Sequence, residues 1–112
     1  MACVYVSYKL PQNEESRSLY DQWVSNQGLR KVFGLRGLKE IRSYRDFTVD
    51  TDVTVLLFFD TDENAMQVMS SPIWHKVLAD FSVCEISDVQ LTVLKASPLI
   101  PESIVIPDSA RG

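Results

Sequence analysis

The sequence predicts an α+β domain of the ferredoxin-like class, with strands and helices in the order β-α-β-β-α-β and a four-stranded antiparallel sheet. Two observations lead to this prediction. Segments with the alternating or continuous apolar residues of strands are interleaved with segments whose apolar residues recur every three or four positions, as in helices. The chain has 112 residues, the length of one domain, and 46% of them are hydrophobic, too many for a disordered chain. Right-handed crossovers then give the strand order 4-1-3-2, with both helices on one sheet face.

The first strand and the first helix are predicted within residues 2–28. Residues 2–10 alternate between two faces and are rich in β-branched and aromatic residues, as is typical of a strand. Asn13 can cap a helix that ends at residues 26–28, and a further turn or short helix is expected at residues 29–33. The expected apolar stripe of the first helix comprises Leu19, Tyr20, Trp23, Val24 and Gln27.

The remaining strands and the second helix follow. Residues 38–47 predict a polar strand, residues 53–60 a strand buried on both faces, and residues 85–96 a final strand. Thr61 can cap the second helix, and Ser71 can cap a fresh segment that begins at Pro72. The expected apolar stripe of this helix comprises Met66, Met69, Ile73, Val77 and Phe81.

Residues 97–112 are predicted to form a C-terminal extension of the domain formed by residues 1–96. The extension contains three prolines and the apolar run 104–106, and is therefore too apolar for a simple tail. We expect it to lie across a surface, either that of its own domain or that of a partner.

Charge and composition exclude several classes of protein. The chain has 15 acidic and 11 basic residues, a net charge of −4, which argues against binding to nucleic acid or to an anionic membrane surface. No apolar run approaches the ~20 residues that span a bilayer, and the first residues lack a signal-peptide layout, so we expect a cytoplasmic protein. Two cysteines and one histidine are too few for a usual zinc site, and no phosphate-binding glycine loop is present. We therefore expect neither a metal nor a cofactor.

The sheet face away from the helices needs a cover. In the strand 53–60, apolar side chains point both ways, with Leu57 and Phe59 on one face and Leu56 and Phe58 on the other. Only two helices are available, and both are expected on the same face. A second copy of the sheet is the simplest cover, so we expect a homodimer.

Residues 2–96 resemble the dimeric α+β barrel superfamily, in which two ferredoxin-like subunits pack their sheets face to face. The resemblance lies in the layout and in the stretch FFDTDENAMQVMSSPIWHKVLADF (58–81), which is similar to the third strand and the proline-broken second helix of the superfamily. The superfamily includes antibiotic-biosynthesis-monooxygenase-like proteins, small polyketide cyclases, haem-degrading monooxygenases and stress-responsive barrel proteins. The resemblance implies the fold and the dimer. It does not imply one particular reaction, because one fold supports many chemistries.

The resemblance also implies positions for the cysteines and bears on the role of the single histidine. It places Cys3 near the end of the fourth strand and Cys84 before its start, roughly 15–20 Å apart, so no disulfide is expected between them. His75 lies opposite the apolar stripe of its helix and is expected to face solvent. Haem-degrading relatives carry their ligand histidine about three positions later, where this chain has Leu78, so haem is not expected.

The sheet face away from the helices is also where a ligand is expected. The aliphatic strand positions should face the helices, which leaves aromatic rings, hydroxyls, an amide and one guanidinium on the other face. Arg42 could bind a ligand carboxylate with two hydrogen bonds, and Trp23 could line an entrance beside the first helix. Alternatively, these side chains pack a dimer core or form salt bridges between subunits. The candidate ligand-binding residues are Tyr5, Ser7, Trp23, Arg42, Tyr44, Phe58, Gln90 and Thr92.

The function expected from these residues is binding of a small, largely apolar or amphipathic molecule that carries a carbonyl or carboxylate. The alternative is a cofactor-independent monooxygenase or polyketide-cyclase-like enzyme, which the resemblance implies as a possibility. A structural dimer without a ligand is a weaker alternative.

Overall fold

The structure, a computed structural model, describes residues 2–110, apart from the side chain of Gln27. Its elements follow the predicted β-α-β-β-α-β order, with the expected short helix after the first helix and the expected restart of the second helix at Pro72. They are β1 (Ala2–Lys9), α1 (Glu14–Ser25), α2 (Gln27–Val32), β2 (Leu38–Arg45), β3 (Asp52–Phe59), α3 (Asp62–Met66), α4 (Pro72–Val83) and β4 (Ser87–Leu94), with short 3₁₀ turns at Val68–Ser70 and Asp108–Ala110.

The four strands form one antiparallel sheet in the order β2-β3-β1-β4, as predicted. Val4 pairs with Leu57 of β3 and with Val93 of β4, so these three aliphatic side chains share one face. In β1 every second residue from Ala2 to Tyr8 is buried. This is the face that the helices cover, because the same core includes side chains of α1, α2 and α4.

The apolar stripe predicted for α1 is wrong at two positions. Leu19 and Val24 are each 39% exposed, whereas Ser16 and Tyr20 are buried and Trp23 is half-buried. The helix packs on the sheet through the narrower row 16, 20 and 23, so the flanking apolar residues of the predicted stripe stay in solvent. Gln27 is also part of the predicted stripe, but its side chain lies outside the described part of the chain.

The stripe predicted for the second helix is wrong at Met66 and Met69, which are 67% and 58% exposed. Ala65 and Val68 are buried in their place. The reason is the break between α3 and α4, where a 3₁₀ turn changes the rotation of the chain about the helix axis. The predicted restart is confirmed, because α4 begins at Pro72 and the Ser71 hydroxyl accepts a hydrogen bond from the Ile73 N–H at 3.2 Å.

Residues 95–110 follow β4 and are exposed throughout. None of the helices within residues 2–110 is long and apolar enough to cross a membrane. Cys3 and Cys84 are both free thiols. Cys3 pairs in register with Leu94 at the end of β4, the position that the resemblance implied.

The start of α1 is tied to the loop before β4. The Asn13 side chain caps the helix by accepting a hydrogen bond from the Ser16 N–H at 2.8 Å, as predicted. The Glu85 carboxylate accepts hydrogen bonds from the Ser16 hydroxyl at 2.8 Å and the Asn13 amide at 2.9 Å. These two hydrogen bonds lower the pKa of the Glu85 carboxyl from its ordinary value.

Acidification is therefore expected to destabilise the protein partly through Glu85. A carboxyl whose pKa is lowered on folding contributes stability that is present above its unfolded-state pKa and is lost as the pH falls through its folded-state pKa. The variant Glu85→Gln keeps an acceptor oxygen but cannot titrate. Its thermal midpoint should fall less than that of the wild type between about pH 6 and about pH 3. Parallel pH profiles for the two proteins would contradict this role.

Candidate functional site

The sheet face away from the helices, here called the open face, carries seven of the eight candidate ligand-binding residues. Strand register places them together. Tyr5 pairs with Thr92 and with Leu56, and Leu56 pairs in turn with Arg42. The predicted assignment of the two sheet faces is thus confirmed. The seven residues are Tyr5 and Ser7 on β1, Arg42 and Tyr44 on β2, Phe58 on β3, and Gln90 and Thr92 on β4.

Trp23 is the eighth candidate, and the structure places it on the other side of the sheet. Its ring stacks on Tyr20 with 6.3 Å between centroids and meets Phe81 edge-on at 5.1 Å. Its Nε1–H donates to the Asp80 carboxylate at 2.8 Å, and that carboxylate also accepts from Lys31 at 2.6 Å. Trp23 therefore belongs to the layer between α1, α2 and α4, and the sheet separates it from the other seven residues.

The Asp80 carboxylate is held in its charged form. Burial acts to raise its pKa, but the hydrogen bonds from Lys31 and Trp23 outweigh this effect, and the pKa lies below its ordinary value. A charged Asp80 is the stronger acceptor for the indole N–H. This arrangement accounts for the position of Trp23 without a ligand.

A depression of about 430 Å³ lies on the open face, at the end where β1 finishes and β3 begins. That volume falls within the roughly 300–1,000 Å³ of typical small-molecule sites. Four of the candidate residues line it, namely Tyr5, Ser7, Tyr44 and Gln90. Their phenol, hydroxyl and amide groups can hydrogen-bond a carbonyl or carboxylate.

The depression also contains residues that were not among the candidates. Thr54, Asp52 and Lys9 line it. All three occupy the same alternating positions as the candidates on their strands, so the period-two pattern could have identified them. Asp88 also lines it, at the alternating position before Gln90, although it has a φ of +54° where the pairing of β1 with β4 shifts register.

Arg42 lies on β2 two residues before Tyr44, and so beside the depression. Its Nε–H donates to the Glu40 carboxylate at 2.7 Å, an interaction that raises the pKa of the guanidinium. Its Cζ lies 5.8 Å from the centroid of the Phe58 ring, within range of a cation–π contact. The Arg42 and Glu40 side chains are 56% and 49% exposed, and such an exposed ion pair is worth little in water. A ligand carboxylate could therefore replace Glu40 at small cost.

A second, smaller cavity of about 50 Å³ lies between the sheet and the helices. Its lining is apolar and includes Val6, Leu57, Trp23 and Phe81. An apolar cavity of roughly 150 Å³ is the size that holds a benzene molecule, so this one is too small for an aromatic ring. The open face thus offers the only one of these two spaces large enough for the expected ligand.

His75 is exposed on α4, as predicted. Within residues 2–110, no three His, Cys, Asp or Glu side chains are grouped as a metal site would need.

Comparison with known proteins identifies the fold. No family model matches the chain. No curated protein matches it either. Among solved structures, a Deinococcus radiodurans protein provisionally assigned as an antibiotic biosynthesis monooxygenase aligns with a TM-score of 0.70 and 13% identity, over 96% of this chain and 99% of its own. SnoaB, a cofactor-independent oxygenase from Streptomyces nogalater, aligns with a TM-score of 0.61 and 10% identity, over 90% of this chain and 97% of its own. An ethyl tert-butyl ether D (EthD) family protein from Bacillus halodurans aligns with a TM-score of 0.63 and 13% identity, over 87% of this chain and 99% of its own.

These alignments confirm the resemblance at the level of fold. The chain has the ferredoxin-like α+β fold of the antibiotic biosynthesis monooxygenase-like proteins, with the same four-stranded antiparallel sheet. At sequence identities of 10% to 13%, the alignments establish the shared fold but do not assign a role to any individual residue.

Proposed function

We propose that two copies of this chain pair through their open faces, and that each copy holds a small, largely apolar ligand with a carbonyl or carboxylate in the depression on that face. The observation that carries this proposal is the composition of the open face. Leu56 and Phe58 give this face apolar surface. The depression on the same face is of ligand size and is lined mostly by polar side chains, among them Tyr5, Tyr44 and Gln90. Small-molecule sites combine apolar surface with polar groups that fix the orientation of the ligand, and the open face offers both.

The apolar part of the open face supports the pairing. Leu56 and Phe58 lie on the central strand β3 and are only half-buried, while Leu94 and Tyr44 are 43% and 51% exposed. Exposed apolar patches of this kind mark interaction surfaces, because covering them removes apolar area from water. The helices lie on the opposite face, so a second sheet is the cover that the fold leaves available.

The polar part of the open face supports the ligand class. The Tyr5 and Tyr44 phenols and the Gln90 amide can donate to a carbonyl oxygen, and Arg42 can offer two parallel N–H groups to a carboxylate. Phe58 lies beneath the Arg42 guanidinium and provides an apolar surface for the body of the ligand. The same groups would recognise a substrate.

An enzymatic function is the second proposal. It is supported by the fold shared with SnoaB, which is a cofactor-independent oxygenase. A monooxygenase or polyketide-cyclase-like activity would use the same depression, with the phenols holding an enolised carbonyl of the substrate. A structural dimer without a ligand is the least favoured, because it leaves the converging polar groups without a role.

The variant Arg42→Leu tests the ligand proposal. The probes are 2-naphthoate, an aromatic carboxylate, and 2-acetylnaphthalene, which has the same rings but only a ketone. Loss of a charge-assisted hydrogen-bonded pair should weaken 2-naphthoate binding about 10- to 100-fold, measured by calorimetry. Binding of 2-acetylnaphthalene should change by less than about twofold, because a ketone forms no ion pair with Arg42.

Arg36→Leu is the matched control, since Arg36 is an exposed arginine beside the start of α4 on the helix side. It should leave the affinity for both probes unchanged. Native mass spectrometry of each variant reports the dimer at the same time. Unchanged 2-naphthoate affinity in Arg42→Leu would contradict the ligand site, and loss of the dimer would instead assign Arg42 to subunit pairing.

A further inference from the structure

The segment of residues 97–107, here called the arm, exposes an unusual amount of apolar surface. Val105 is 84% exposed, and the other apolar side chains of the arm are at least half exposed. Aliphatic side chains are normally buried, and a contiguous exposed group of them marks an interaction surface. The apolar residues of the arm are Leu99, Ile100, Ile104, Val105 and Ile106.

The arm does not fold back on its own domain. The radius of gyration of the chain is 16.1 Å, whereas a compact chain of this length would have about 13 Å. Pro98, Pro101 and Pro107 each restrict the backbone, which lowers the entropy lost when the arm is held in one conformation. The arm is therefore suited to packing on a surface outside its own domain.

We infer that the arm packs on the second copy of the chain, as a strap across the dimer. This inference rests on the proposed pairing of open faces. The arm begins three residues after Leu94, which lies on the open face in register with Cys3. Its root is thus at the rim of the surface that would meet the second copy. In a two-fold dimer the contact is formed twice, once by each arm.

The length of the arm fits this placement. Residues 97–100 form a turn, in which the Ile100 N–H donates to the Ser97 carbonyl at 3.2 Å. The seven residues after this turn span about 23 Å when extended, at ~3.3 Å each. The arm can therefore cross the width of the four-stranded sheet of the second copy, which is about 14 Å at ~4.8 Å between neighbouring strands. Its composition disfavours an anionic membrane as the partner, because residues 97–107 contain Glu102 and no lysine or arginine.

The variant Val105→Asp in the full-length chain tests the strap. A charge placed in an apolar contact should raise the dimer dissociation constant at least about tenfold, measured by analytical ultracentrifugation. The matched control is Val83→Asp, because Val83 is 70% exposed at the end of α4 on the helix layer. The control should change the constant by less than about twofold. Circular dichroism should show both variants folded, since each change is at an exposed position.

Cross-linking identifies the surface that the arm contacts. The variant Glu102→p-benzoylphenylalanine is prepared in unlabelled and heavy-isotope forms, and the two are mixed before illumination. The strap predicts cross-linked species that contain one light and one heavy chain. Cross-links confined to single chains, or an unchanged dimer constant in Val105→Asp, would overturn the inference.

Failure of the strap is distinguishable from failure of the proposed function. A wild-type chain that is monomeric at every concentration tested would overturn both the pairing and the strap. A dimer that weakens in Val105→Asp but binds neither naphthalene probe would retain the strap and overturn the ligand site. A dimer that binds 2-naphthoate and is unaffected by Val105→Asp would retain the proposed function and overturn the strap.

Discussion

Replacing Gly37 with alanine is expected to lower the free energy of unfolding by about 2–4 kcal/mol. Gly37 has a φ of +81°, a backbone conformation that disfavours a side chain. An added Cβ would also overlap the Asp60 carboxylate and the Asn64 amide, which are hydrogen-bonded to each other at 2.9 Å. The Gly37 carbonyl accepts from the Asp60 N–H at 2.9 Å, so the change strains the junction of β2 with the end of β3.

Gly34→Ala is the matched control for this prediction. Gly34 lacks a positive φ, and an added Cβ would lie 3.0 Å from the tip of the Ile73 side chain, which can move. Its stability should stay within about 1 kcal/mol of the wild type. Urea unfolding, followed by tryptophan fluorescence, measures both variants. Equal stability of Gly37→Ala and Gly34→Ala would show that the junction tolerates a side chain.

Replacing Trp23 with alanine is expected to cost about 3–5 kcal/mol of the free energy of unfolding. The change removes the ring contacts with Tyr20 and Phe81 and leaves the Asp80 carboxylate without its indole donor. Trp23→Phe keeps an aromatic ring and loses mainly the hydrogen bond, so it should cost only about 1–2 kcal/mol. Urea unfolding followed by circular dichroism, which does not depend on the missing indole, measures both.

The same variants test which side of the sheet holds the ligand. Because Trp23 lies in the helix layer, Trp23→Phe should bind 2-naphthoate with wild-type affinity, within about twofold, at a temperature where both proteins are folded. A tenfold loss of 2-naphthoate affinity in Trp23→Phe would instead show that Trp23 contributes to the ligand site, as expected from the sequence. In that case the small cavity on the helix side must open when the ligand binds.

Patterns local in the sequence predicted the elements and the two sheet faces correctly. The alternation in β1 and β3 separates Val4 and Leu57 from Tyr5 and Leu56, and a strand has only two faces to which its residues can be assigned. Caps were equally predictable, because Asn13, Thr61 and Ser71 each bond to a backbone N–H two or three residues further along the chain.

The arrangement of the helices and the charged partners required the tertiary structure. A helix can rotate continuously about its axis, so the sequence alone did not determine that Leu19 would be exposed or that a break would turn Met66 into solvent. The partner of Trp23 is Asp80, 57 residues away, and only packing brings the two together.

The sequence by itself thus determined the strand order, the two faces and most of the open-face candidates, because these follow from a two-residue period and right-handed crossovers. Tertiary structure decided the rotation of the helices, the side of the sheet on which Trp23 lies and the shape of the depression, because each depends on contacts between residues distant in the chain.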